Sequence, residues 1–106
     1  MIIKKLLFVT MVNLILTLSS FTHAEEETYQ TVKALKIMPD QAFIYADGLT
    51  QCASSTHFVR LEWLTGGADK MWASILAAKF AGKRVAFGGS CDSSDYFNVS
   101  YIYIEN

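Results

Sequence analysis

Cys52 and Cys91 are the two cysteines of this 106-residue chain. Both follow a leader of export type, and in an exported protein two cysteines read as one disulfide. Closing a loop of about 40 residues stabilises by roughly 4 kcal/mol on the chain-entropy argument. A zinc site needs two further ligands, and His57 is the only histidine beyond residue 24, so no metal is expected. His57 with Ser54, Ser55 or Ser90 offers the base and nucleophile types of a small hydrolase. No nucleophile-elbow motif frames these serines, and the expectation is a loop histidine beside the disulfide. Asp92 and Asp95 offer paired carboxylates for acid–base work or calcium. They stand on a serine-containing loop without EF-hand spacing, which reads as turn chemistry. Asn98-Val99-Ser100 matches a glycosylation sequon and matters only where the source modifies asparagine. No catalytic residue and no cofactor is expected.

The aromatic residues carry the binding chemistry. Tyrosine joins an apolar ring to a polar tip and suits wet contact surfaces. Tyr101 and Tyr103 alternate along a strand and are expected to cover the sheet or barrel. Tyr96 and Phe97 follow a polar loop, and with Tyr45 they are the candidate contacts for a ligand or subunit.

The leader sets the compartment. Lys4 and Lys5 form a positive region, Leu6 to Leu18 is a mostly apolar run, and Ser19 to Ala24 is a short segment ending in small residues. This is the layout of a signal peptide cleaved after Ala24. The apolar run is shorter than the roughly 20 residues of a membrane span, so no stable membrane insertion is expected after cleavage. Residues 25–106 then form a single small domain, exported to the periplasm or secreted. They hold seven basic and ten acidic residues, a net charge of −3. No basic run is long enough to track a phosphate backbone, which excludes nucleic acid as the expected partner. Glu25-Glu26-Glu27 reads as a solvated tail.

Periodicity supplies the elements that position these residues. Strands are expected over 32–38 and 42–46, joined as a hairpin by the Pro39-Asp40 turn. A third, over 58–64, turns Val59, Leu61 and Trp63 to one face and Phe58, Arg60, Glu62 and Leu64 to the other. Thr65-Gly66-Gly67 ends it, Asp69 is the expected N-cap of a helix, and Gly82 is its expected C′ residue. Trp72, Ile75, Leu76 and Lys79 share the helix's inner face, with Met71 and Phe80 at its margins. Val85 to Phe87 reads as a fourth strand, relaxed by Gly88-Gly89 before Cys91. In the fifth, Val99, Tyr101 and Tyr103 share one face while Ser100, Ile102 and Ile104 share the other. The order β-β-β-α-β-β, mainly β with one helix, is that of a small five-stranded OB-like antiparallel barrel whose helix plugs one end. The alternative is an open antiparallel sheet with the helix across one face.

The run Leu76-Ala77-Ala78-Lys79-Phe80-Ala81-Gly82-Lys83-Arg84-Val85, followed by Cys91 and the closing strand Tyr101-Ile102-Tyr103-Ile104, resembles a group of small exported gammaproteobacterial proteins. More distantly, the arrangement is similar to the B subunits of pertussis-like and subtilase-type AB5 toxins. That resemblance implies a disulfide-bearing OB-type barrel, a pentameric ring and sialylated glycans as ligands. None of that family's binding residues can be placed on this sequence. The functional expectation is a secreted or periplasmic non-catalytic module binding a glycan or a protein. The alternative is a self-assembling subunit of an exported complex, with a small hydrolase third.

Overall fold

The structure, a computed structural model, describes residues 25–106. The expected signal peptide, residues 1–24, and its cleavage after Ala24 lie outside the described residues. Six strands among the described residues form one sheet: β1 (Glu25–Glu26), β2 (Ala34–Ile37), β3 (Gln41–Tyr45), β4 (Phe58–Glu62), β5 (Val85–Cys91) and β6 (Phe97–Ile104), with helix α1 (Ala68–Phe80) between β4 and β5. The mainly-β class with one helix stands. The five-stranded barrel does not: the spatial order is β1-β5-β6-β4-β3-β2, with β1 and β2 at opposite edges and unpaired with each other.

The sheet is also mixed. β2–β3–β4 is an antiparallel meander, and β1–β5–β6 is a second antiparallel set. The two sets join where β6 runs parallel to β4, at Arg60 and Asn98. Instead of plugging an end, α1 lies across one face of the open sheet. Its buried residues are Ala68, Met71, Ile75 and Ala78, the three-to-four spacing of one helical stripe. They pack with Ile44, Val59, Leu61, Phe87, Phe97 and Val99 in one core. The stripe is rotated from the expected one: Trp72 and Leu76 sit half-buried at its margin, and Lys79 and Phe80 face outward. Small residues at 68 and 78 let the helix approach the sheet closely, which the larger Trp72 and Leu76 would prevent.

The helix ends differ in how they are made. Asp69 does not cap. Gly67, at φ 78°, is the N-cap residue, and no side chain caps the first turn; Asp69 lies within that turn, where its charge suits the positive end of the helix dipole. At the other end Gly82 has φ 68°. The Lys83 N–H donates to the Ala78 carbonyl at 2.9 Å and the Gly82 N–H to the Lys79 carbonyl at 3.3 Å. These are the two bonds of a Schellman motif, for which glycine tolerates the left-handed position.

Two sequence expectations fail for the same reason, a long-range hydrogen bond that periodicity does not register. Gly88-Gly89 does not end the fourth strand. β5 runs on to Cys91, and its register against β6 shifts there, Gly88 facing Tyr101 and Gly89 facing Val99. Ser100 is the extra residue of this β-bulge. It moves Tyr101 and Tyr103 to the face opposite Val99 and places Ile102 and Ile104 on the core side.

The second failure is the acidic start. Glu25 and Glu26 pair with Gly89 and Gly88, and Glu27 is 1% exposed. Its carboxylate accepts the Thr50 N–H at 2.9 Å to each oxygen, the Gln51 N–H at 2.9 Å and the Thr50 hydroxyl at 3.3 Å. This carboxylate, not a solvated tail, fastens the loop between β3 and β4 to the N-terminal segment. Hydrogen bonds to a charged acceptor contribute about 1.5–3 kcal/mol each, and an orphaned donor costs as much. Glu27→Gln, which replaces one acceptor by a donor facing these N–H groups, is therefore expected to cost about 2 kcal/mol. Urea unfolding of the variant would show this, and a midpoint equal to the parent's would rule the anchor out.

Candidate functional site

Among the described residues α1 covers one side only, and the other face of the sheet is left open. Neighbours in the register fix what it carries. Phe43 faces Arg60 and Tyr45 faces Phe58 across β3–β4, Lys36 faces Phe43 across β2–β3, and Asn98 faces Arg60 across β4–β6. The inward partners on β3 and β4, Ala42, Ile44, Val59 and Leu61, are fully buried. The alternation that builds the core therefore sends Phe43, Tyr45 and Phe58 outward together.

These rings form one group. Phe43 and Phe58 stack with centroids 4.4 Å apart, Tyr45 lies 5.9 Å from Phe58, and Tyr96 lies 5.7 Å from Phe58. All four residues are partly buried, each keeping a minority of its surface in solvent. The Arg60 guanidinium sits 5.3 Å from the Tyr96 ring centroid, and the Lys36 ammonium 5.9 Å from that of Phe43. Cations over ring faces are attracted by the ring quadrupole.

Of the three expected contact residues, Tyr45 and Tyr96 belong to this group. Phe97 does not: it is 0% exposed and lies in the core beneath the helix. The sequence groups Tyr96 with Phe97, but Tyr96 ends the turn before β6 while Phe97 begins the strand and faces the core. Phe43 and Phe58 were missed as contacts. The alternation of 42–46 and 58–64 put them on the less buried face, and that signal identifies them once the helix is known to cover the other face.

Asp92 organises the rim. Its carboxylate accepts the Ser94 N–H at 2.9 Å and the Tyr96 N–H at 3.0 Å, and lies 3.2 Å from the Arg60 guanidinium. Arg60 also donates to Asn98 at 3.3 Å and lies 3.4 Å from Glu62. One turn thus fixes both Tyr96 and the arginine stacked on it. The Tyr96 N–H foremost, then the Ser94 N–H and Arg60, hold the Asp92 carboxyl below its ordinary 3.8. A carboxylate with a depressed folded pKa stabilises above its unfolded value, and that contribution is lost as pH falls through the folded value. Asp92→Asn is thus expected to be less stable than the parent at pH 7, with the gap narrowing as pH falls below the ordinary 3.8 and through the lowered folded value. Urea midpoints of both proteins at pH 7 and along an acid series below 3.8 test this; an unchanged gap would contradict it.

The remaining chemistry-bearing residues are held in structural roles. Cys52 and Cys91 form a disulfide, with Cα atoms 5.7 Å apart. They lie with Asp95 in one cluster of metal-ligand types, but bonded sulfurs are not thiolate ligands. The Asp95 carboxylate accepts the Ala53 N–H at 2.8 Å, and Asp95 itself stands at φ 64°. Ser55 is fully buried, its hydroxyl accepting the Phe97 N–H at 3.0 Å. His57 is exposed on the neighbouring loop. These bonds join the 47–57 loop to the 92–97 turn, so the disulfide and the two aspartates brace the floor below Tyr96. No helix among the described residues is long and apolar enough to cross a membrane.

No protein-family model, curated protein or solved structure matches this chain.

Proposed function

We propose that the protein is an exported, non-catalytic binding module whose ligand surface is the open sheet face at Phe43, Tyr45, Phe58 and Tyr96. The observation that carries this reading is the group of four partly exposed rings, its Tyr96 end held by Arg60 and Asp92, on a face that no other element among the described residues covers. Cross-strand aromatic pairs also stabilise sheets, but a sheet needs no apolar ladder on its solvent side. Exposed apolar groups gathered into one patch and rimmed by charge mark interaction surfaces. Flat rings edged by Lys36, Arg60 and Glu62 suit a ligand with both an apolar face and hydrogen-bonding edges. A glycan fits that description best and a protein surface second. The disulfide is compatible with an oxidising compartment, which supports export.

A glycan array with the purified protein tests the ligand class. Phe58→Ala and Tyr96→Ala are expected to abolish any signal, because each removes a ring from the stack. The fold can be checked separately through the intact disulfide and the near-ultraviolet spectrum. An array without signal above background removes the glycan reading and leaves the protein partner.

One observation favours self-assembly as a second reading. Among the described residues β2 has no neighbour along its outer edge, and Ile37 on it is 68% exposed. Such an edge is a template for strand pairing. Light scattering decides this reading: a stable dimer or ring supports a self-assembling subunit, and a monomer at high concentration removes it.

A further inference from the structure

A second group of rings lies at the far end of the open face, on the β1–β5–β6 side. Gly88 and Ala86 face Tyr101 and Tyr103 there, and Glu26 faces Gly88 from β1. Glu26, Glu27, Thr28, Tyr29, Ala86 and Tyr103 line a cleft of about 370 Å³. Tyr29 is 42% exposed and Tyr103 50% exposed. Tyr101 meets Tyr103 edge-on, with centroids 5.7 Å apart.

The charge of the cleft is one-sided, since none of its lining residues among those described is basic. Of its two carboxylates, that of Glu27 is engaged by the N–H groups of Thr50 and Gln51. Glu26 differs. The Tyr101 hydroxyl donates to its Oε2 at 2.8 Å, which fixes the carboxylate and, among the described residues, leaves Oε1 for a ligand. Tyrosine ring faces are electron-rich and attract cations, and quaternary ammonium groups are held by rings arranged around them. A cleft lined by acidic side chains and two half-exposed tyrosines, with the small Ala86 among its lining residues, therefore selects positive charge on an apolar body.

We infer that this cleft is a binding site for a substituted ammonium cation, held by Glu26 and the rings of Tyr29 and Tyr103. It lies apart from the Phe43–Tyr96 stack, and it stands or falls independently of the ligand proposed there. The same chemistry is carried by a free quaternary ammonium compound and by a lysine side chain of a protein. Choline and N-acetyl-lysinamide serve as the respective probes.

Titration of the purified protein, followed by NMR of the tyrosine rings, tests the site. Choline or N-acetyl-lysinamide is expected to shift Tyr29 and Tyr103 saturably, whereas 3,3-dimethylbutan-1-ol, the uncharged isostere of choline, is not. Whichever of the two cations binds more tightly identifies the source. Glu26→Gln keeps an acceptor for Tyr101 and is expected to weaken binding about tenfold. Tyr103→Ala should remove binding altogether. Equal binding of the neutral isostere, undiminished binding by Glu26→Gln, or no saturable shift with either cation would overturn the proposal. The isostere comparison uses the unaltered protein, so the outcome does not depend on a variant folding.

Discussion

Reduction of the Cys52–Cys91 bond is expected to lower the stability of the protein by about 4 kcal/mol. The two cysteines are 39 residues apart, and opening the loop restores the conformational freedom that the bond removes from the unfolded chain. A domain of this size has a total stability of about 5–10 kcal/mol, so the bond contributes a large share. The loss has a local part too. Cys52 is fully buried in the core, while Cys91 closes β5, where it pairs with Phe97. The bond thus ties the loop that holds Ser55 to the strand pair that holds Phe97. Urea titration with and without reductant measures the effect, and Cys91→Ser, at the less buried partner, gives the same comparison without reductant. Both are expected to shift the midpoint alike. A shift below about 1 kcal/mol in both would show that the unfolded chain is held compact by other means. Because Tyr96 lies between Asp92 and Phe97, reduction is also expected to loosen the open-face stack before the sheet melts.

Strands β2 to β6, the helix and the disulfide were legible because each rests on local pattern or on counting. Alternation over 58–64 separates Val59 and Leu61 from Phe58 and Arg60 without knowledge of any neighbour, and two cysteines allow one pairing. What the sequence hid is relational. That β6 lies parallel to β4, and not at a barrel seam, depends on which strand edges meet after α1 crosses the sheet, and periodicity is silent on that. The helix stripe was misjudged because Ala68 and Ala78 carry little hydrophobic signal yet are buried for their smallness. Glu27 was misjudged because a triple-glutamate run carries the composition of a solvated tail. Only the backbone donors at Thr50 and Gln51 make its burial favourable. The candidate site was half legible: Tyr45 and Tyr96 were named, Phe97 belonged to the core, and Phe43 and Phe58 became visible only when one face of the sheet was left uncovered.

Gly89→Ala is expected to be the most damaging single methyl that could be added to this sheet, costing about 3 kcal/mol or more. A Cβ built on Gly89 would lie 1.8 Å from the Asn98 carbonyl oxygen and 2.9 Å from its carbon. Those are backbone atoms of the paired strand, and they cannot rotate aside as a side chain can. Relief requires β5 and β6 to separate at the bulge, where Gly89 faces Val99 and Ser90 faces Asn98. The bulge is what allows Phe97 and Val99 before it, and Ile102 and Ile104 after it, all to face the helix. If the chain instead removed the bulge, the one-residue slip would exchange the faces of one half of β6. Tyr101 and Tyr103 would turn into the core, or Phe97 and Val99 out of it. Neither escape is cheap, and this makes the prediction strong. Two neighbouring substitutions calibrate it. A Cβ on Gly88 would lie 2.0 Å from the Tyr101 ring, a side chain that can swing away at the cost of its bond to Glu26, so Gly88→Ala is expected to be milder. Gly66 has nothing within 4 Å of the added carbon, and Gly66→Ala is expected to stay within about 0.5 kcal/mol of the parent. Urea midpoints for the three variants should therefore fall in the order Gly66, Gly88, Gly89 from least to most affected. A Gly89→Ala protein as stable as the parent would mean that the close approach of β5 and β6 at the bulge is not a feature of this fold.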